Sequence, residues 1–90
     1  MDEKFLKLER SKGRELKKSR WWQNKISEGG SCYYCEQNLS KSEITMDHVV
    51  PISRGGRSTK GNVVIACETC NINKRSLTAV EWEEYLTRRK

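Results

Sequence analysis

Two short cysteine pairs, "CYYC" at 32–35 and "CETC" at 67–70, set the strongest limit on what this 90-residue chain can fold into. Only 34% of its residues are hydrophobic, and its mean hydropathy is −0.88. A chain this small and polar rarely holds one fold on its core alone, so a covalent or metal staple is expected. The opening "MDEKFLKLERSKG" has no apolar h-region and does not read as a signal peptide. No stretch is long and apolar enough to span a membrane, so no membrane partner is expected. These features predict a cytoplasmic, reducing setting, where structural disulfides are rare. A thioredoxin-like role needs one C-x-x-C inside a βαβ unit, and this chain has two pairs and no such unit. Four thiolates from Cys32, Cys35, Cys67 and Cys70 instead suit a closed, tetrahedral and therefore structural Zn²⁺ site.

The 31 residues between the pairs exceed a usual zinc-ribbon spacer. Within them, "ITMDHVV" (44–50) is rich in β-branched residues and reads as a strand ending at Pro51. "ISRGGRSTKGN" is a loop by its Gly, Ser and Asn content. "NVVIA" (62–66) reads as a second strand, antiparallel to the first, and "ETCNINKRS" as a short helix. A final helix begins at "TAVE", where Thr78 and Glu81 have capping-box spacing. Residues 1–28 read as helical, interrupted or bent at Gly13 and stopped by Gly29-Gly30. In the last helix Trp82 and Tyr85 are expected in the core, as is the Trp21-Trp22 pair near the N-terminus. The fold class is thus α+β. A zinc-clamped ββα unit and the helix after it form one domain (30–90), preceded by a basic helical segment (1–29).

The net charge is +6, unevenly spread. Residues 1–30 hold nine Lys/Arg against five Asp/Glu, residues 31–70 four of each, and residues 71–90 five against three. Basic flanks around a balanced centre suit a polyphosphate partner, although a solvated basic surface has the same composition. Arg54, Arg57 and Lys60 in the loop, with Arg75 in the short helix, are candidate phosphate contacts.

The clamp encloses the only histidine, His48, directly after Asp47. Asn71 follows the last cysteine, Lys74 and Arg75 lie one helical turn further on, and Asn62 stands between loop and second strand. A carboxylate, an amide oxygen and an imidazole are therefore gathered beside cations. His48 is then either a catalytic base next to a metal-binding carboxylate or a polar strand residue. Adjacent strand residues point to opposite faces, so Asp47 and His48 share a site only if the strand twists, bulges or ends there.

"CYYC", "DHVVPISRGG", "GNVV" and "CETCNINK", in that order, resemble the HNH (His-Asn-His) endonucleases of ββα-metal fold across about residues 30–76. The resemblance implies a metal-dependent endonuclease acting on DNA. It places the general base on His48 and the metal ligands on Asp47 and Asn71. It gives Asn62 the role of holding the loop and Lys74 that of a basic group near the scissile phosphate. The third signature residue is Asn instead of His, a His-Asn-Asn variant. Two hard oxygens from Asp47 and Asn71 favour Mg²⁺ or Mn²⁺. One site cuts one strand, so double-strand cleavage needs a homodimer, a larger nuclease assembly or two encounters. Family roles span restriction, homing, phage DNA packaging and defence. Two other functions fit the composition: a non-catalytic zinc module that binds nucleic acid, and a zinc-stapled protein-interaction domain.

Overall fold

The structure is a computed structural model in which residues 2–74 and 77–89 are described, the side chains at 79, 88 and 89 excepted. Helix α1 (Glu3–Lys18) starts where the Asp2 carboxylate accepts from the Lys4 amide at 3.0 Å. It runs straight through Gly13, where a bend was expected, and stops at Ser19 instead. Ser19 is extended, and its hydroxyl both donates to the Leu16 carbonyl and accepts from the Trp22 amide. One serine therefore ends α1 and caps α2 (Arg20–Ile26), which the sequence pattern alone did not separate. Gly29, at φ +83°, closes α2 by donating to the Ile26 carbonyl, and a side chain there would run into the Leu39 carbonyl.

Strands β1 (Gly30–Ser31) and β2 (Asn38–Leu39) form a two-residue hairpin that was not expected. It brackets the first cysteine pair. The Tyr33 amide ties this knuckle to the Ile65 carbonyl at 2.8 Å. The second hairpin pairs β3 (Ile44–His48) with β4 (Val63–Cys67), antiparallel as expected and in regular register from Ile44–Cys67 to His48–Val63. Each strand differs from its expected bounds by one or two residues. Helix α3 (Glu68–Lys74) follows β4 directly, and α4 (Ala79–Arg89) begins at Thr78. The Thr78 amide donates to the Glu81 carboxylate and the Glu81 amide to the Thr78 hydroxyl, completing the expected capping box.

The β3–β4 hairpin lies between two apolar clusters. On one side are Cys32, Leu39, Ala66, Cys67, Cys70 and Trp82; on the other are Trp22, Ile26 and Val63. Ile44 and Ile65 touch both. Trp22 and Trp82 are almost fully buried and anchor α2 and α4 respectively. Each hides about 200 Å², a contribution of about 5 kcal/mol at the usual transfer coefficient. Tyr85, expected inside, is exposed and stacks on Trp82 at 5.3 Å, while Trp21 is only half-buried. Among the described residues, no helix is long and apolar enough to cross a membrane.

Candidate active site

The four cysteine sulfurs all lie within 4.8 Å of one another, with Cys35 and Cys67 Sγ 3.9 Å apart. That is far from a disulfide, which needs ~2.05 Å. It fits a tetrahedral shell of ~2.3 Å metal–sulfur bonds, which sets sulfurs about 3.8 Å apart. Backbone amides point at the sulfurs: Cys67 N–H at Cys32 Sγ and Cys70 N–H at Cys67 Sγ. Burial alone pushes the Cys32 thiol up, but hydrogen bonds from the Cys35, Cys67 and Tyr34 amides outweigh it and bring the pKa down to about 7. The Cys70 thiol is pushed up by burial first, then by its sulfur neighbours. One thiolate thus suppresses the others unless a cation joins them, which is the chemistry of a metal-thiolate cluster.

The cysteine cluster spans the end of β4 and the start of α3, and α3 packs on β3. Asp47 and His48 are the last two residues of β3, in unbroken register with Val64 and Val63. The buried Asp47 carboxylate accepts the Tyr34 hydroxyl on Oδ2, and Lys74 Nζ sits 3.2 Å from the same oxygen. Burial, followed by the Asp47 hydrogen bond, holds the Tyr34 phenol far above its ordinary pKa, so it stays a donor. Asp47 Oδ1 carries no such partner among the described residues.

His48 Nε2 is 2.9 Å from Ser58 Oγ. The Ser58 hydroxyl donates its one proton to the Glu9 carbonyl at 2.6 Å, so His48 Nε2–H is the donor to Ser58 and Nδ1 holds the ring's lone pair. Burial is the main cause that keeps the imidazole below its ordinary pKa; Lys74 adds to this and Asp47 opposes it. Its surroundings thus favour the neutral form of the ring. The Ser58 amide also donates to Glu9 Oε1 at 2.7 Å, and this bond is the main reason the Glu9 carboxyl titrates low.

Asn71 Nδ2 donates to Thr45 Oγ1 at 2.9 Å, while Thr45 donates to the Ala66 carbonyl. This orients the amide and leaves Asn71 Oδ1 as the free oxygen. Asp47, His48 and Asn71, with Met46, Pro51 and Ile52, line one cavity of about 210 Å³. Asn62 bridges the ends of the loop: its side chain accepts from the Val50 amide and donates to the carbonyls of Val50 and Arg57, and its own carbonyl accepts from the Val49 amide.

The span from 32 to 82, more than half the chain, matches the family model described as HNH endonuclease. The chain belongs to the HNH endonuclease family. Its matched residues form a nuclease domain of the HNH type, with the cysteine cluster as its staple. It is also similar to the CRISPR-associated endonuclease Cas9 of Actinomyces naeslundii, 31% identical over 58 residues, covering 63% of this chain and 5% of that protein. The Cas9 of Corynebacterium diphtheriae is 35% identical over 52 residues, covering 57% and 5%. The chain thus spans about a twentieth of the length of these curated relatives.

Against the HNH pattern, Lys74 departs from its expected place. It is completely buried under the Tyr34 ring, with its ammonium on Asp47 Oδ2 and, at 3.0 Å, on the His48 carbonyl. It faces the carboxylate from within the protein and cannot reach a phosphate in solvent. Lys74→Met leaves Asp47 buried with only a phenol for company. Breaking a buried pair from one side costs about 3–5 kcal/mol, and urea denaturation is expected to show a loss of that size. The loop cations are engaged as well. Arg54 pairs with Glu81 at 2.8 Å, Arg57 lies over the Phe5 ring, and Lys60 lies over the Trp21 ring. Arg75 falls outside the described residues. Sequence reasoning missed Tyr34, Ser58 and Glu9. Tyr34 carried one signal, a hydroxyl-bearing residue inside the first cysteine pair.

Proposed function

We propose that this domain hydrolyses phosphodiester bonds in DNA, with His48 as general base and a divalent ion, Mg²⁺ or Mn²⁺, at Asp47 and Asn71. The observation that carries this reading is the convergence of three groups on one cavity: a neutral imidazole with its lone pair on Nδ1, the Asp47 carboxylate and the Asn71 amide oxygen. A hard cation held by Asp47 and Asn71 would supply Lewis-acid stabilisation of the developing phosphoryl charge. The protein's own residues do the rest. His48 takes the proton of the attacking water on Nδ1 while Ser58 and Glu9 hold its other nitrogen. Tyr34 and Lys74 fix Asp47 Oδ2, so its other oxygen is the one presented. Asn62 keeps the loop closed behind the histidine. The four cysteines would hold a Zn²⁺ that keeps the hairpin and α3 together, outside the chemistry. Residues 30–90 act as the nuclease domain, and residues 1–29 as a basic extension.

The test is nicking of supercoiled plasmid. Strand cleavage is expected with Mg²⁺ or Mn²⁺ and none after the divalent ion is withdrawn at constant zinc content. Binding of plasmid without nicking under every divalent ion tried rejects hydrolysis in favour of a non-catalytic nucleic-acid-binding module.

A further inference from the structure

His48 also lines a second cavity, which Asn71 does not line. About 250 Å³ in volume, it is bounded by Arg10, Gly13, Arg14 and Lys17 of α1 together with Met46, His48 and Ile52. Helix α1 lies outside the span matched by the HNH family model, so that match assigns its residues no role.

Two features hold α1 there. Glu9, buried in the helix, takes both the amide and the hydroxyl of Ser58, the residue that holds the His48 ring. One turn on, Gly13 lets the helix backbone approach the ring. A Cβ at Gly13 would lie 3.2 Å from Ser58 Oγ and 3.5 Å from His48 Cε1, and any larger side chain would lift the helix away. With the axis fixed this close, Arg10, Arg14 and Lys17 (positions i, i+4 and i+7) form one stripe along the cavity's lip. All three are exposed, and none has a carboxylate partner among the described residues. The loop cations Arg54, Arg57 and Lys60, by contrast, already rest on protein groups.

We propose that the Arg10–Arg14–Lys17 stripe is the surface that grips the DNA backbone beside the scissile phosphate. The proposal rests on the nuclease reading for its substrate, but on different residues. Seven helical residues advance about 10.5 Å, the axial length over which one DNA strand presents about three phosphates. Three unpaired cations over that length match such a run in charge and spacing. Arginine can also hold two oxygens of one phosphate. The stripe and the Asp47–Asn71 cavity share His48, Met46 and Ile52 as a common wall. A strand lying along the stripe therefore passes the imidazole.

The experiment titrates a short fluorescent DNA duplex against the wild-type chain with zinc bound and no other divalent ion, over a series of salt concentrations. It is repeated with Arg10→Gln/Arg14→Gln/Lys17→Gln and with Arg54→Gln/Arg57→Gln/Lys60→Gln, which removes the same charge from the loop. Glutamine keeps helix propensity, and thermal melts check that both variants fold. The stripe variant is expected to lower the slope of log affinity against log salt by about 2–3. Its affinity, close to wild type at 1 M salt, then falls behind by about 10² to 10³ at 0.1 M. The loop variant should change the slope by less than about 1. Replacing the two arginines by lysine, with Lys17 intact, restores most of the slope.

Equal slopes for the two triple variants reduce the effect to net charge and overturn the proposal. So does an unchanged slope for the stripe variant, or no DNA binding by the wild-type chain. Plasmid nicking in parallel separates the two ideas. Nicking that survives in a stripe variant with wild-type affinity rejects the stripe and keeps the nuclease. A stripe-dependent salt slope in a chain that never nicks keeps the stripe and rejects the nuclease.

Discussion

Replacing His48 with alanine is expected to lower metal-dependent plasmid nicking by at least about 10² to 10⁴, the usual worth of a positioned general base, while zinc content and fold persist. The separation of function from fold follows from where the ring sits. His48 is the last residue of β3, and its backbone pairing with Val63 does not depend on the side chain. The cysteine cluster lies at the other end of the hairpin, where Ile44 faces Cys67. Removing the imidazole takes one partner from Ser58, whose hydroxyl still donates to the Glu9 carbonyl. The stability loss is therefore that of one under-satisfied acceptor, about 1 kcal/mol. Single-turnover nicking at saturating protein reads the chemical step, and metal analysis of the same sample reads the zinc. A variant within about tenfold of wild type in rate, with zinc intact, removes His48 from the proton transfer. Ser58→Ala provides a graded comparison. It keeps the ring but frees Nε2, so a smaller loss is expected than for His48→Ala.

Much of this arrangement is legible without coordinates because it is encoded locally. The cysteine pairs, the two β-branched runs with a Gly-rich loop between them, and the Thr78–Glu81 cap each sit within a few residues and report their own conformation. The pairing of Asp47 with His48 was also legible, and so was the tension between neighbours on opposite faces of a strand. Both residues nevertheless line one cavity, at the end of β3.

The illegible parts are long-range. Glu9 reaches Ser58 across 49 positions, and no periodicity marks either residue. Gly13 looked like a helix breaker because glycine weakens an isolated helix by about 1 kcal/mol. Close packing against His48 makes that same residue the point of contact, and the helix runs through it. The resemblance gave Lys74 a place near the scissile phosphate, and lysine is almost never fully buried without a partner. Its partner, Asp47, lies 27 positions earlier, brought close only when α3 folds over β3. The burial of Lys74 and the omission of Tyr34 have one cause. A buried carboxylate needs compensating donors, and the sequence does not say which residues will surround it.

Withdrawing the ion from the four thiols is expected to unfold the domain. The apparent binding free energy of a structural zinc is about 10–16 kcal/mol at pH 7, against a total stability of about 5–15 kcal/mol for a typical domain. A chain with 34% hydrophobic residues lies near the lower end of that range. Its larger apolar cluster is built around three of the cysteines, Cys32, Cys67 and Cys70, so metal site and core are the same structure. Without the cation, four buried or crowded sulfurs within 4.8 Å cannot ionise together, and the Cys70 thiol reverts to its raised pKa. Circular dichroism and thermal melting before and after a strong chelator, with released zinc counted per chain, test this. Cys67→Ser tests it without a chelator, since Cys67 ends β4, pairs with Ile44 and receives the Cys70 amide on its sulfur. One zinc released per chain and loss of the cooperative transition are expected in the first case, and failure to fold in the second. An unchanged transition in the metal-free chain shows that the core suffices without its staple. Nicking disappears with the fold in these samples, whereas His48→Ala removes nicking from a folded, zinc-bound chain. The contrast assigns one ion to structure and leaves the chemistry to the cavity of Asp47, His48 and Asn71.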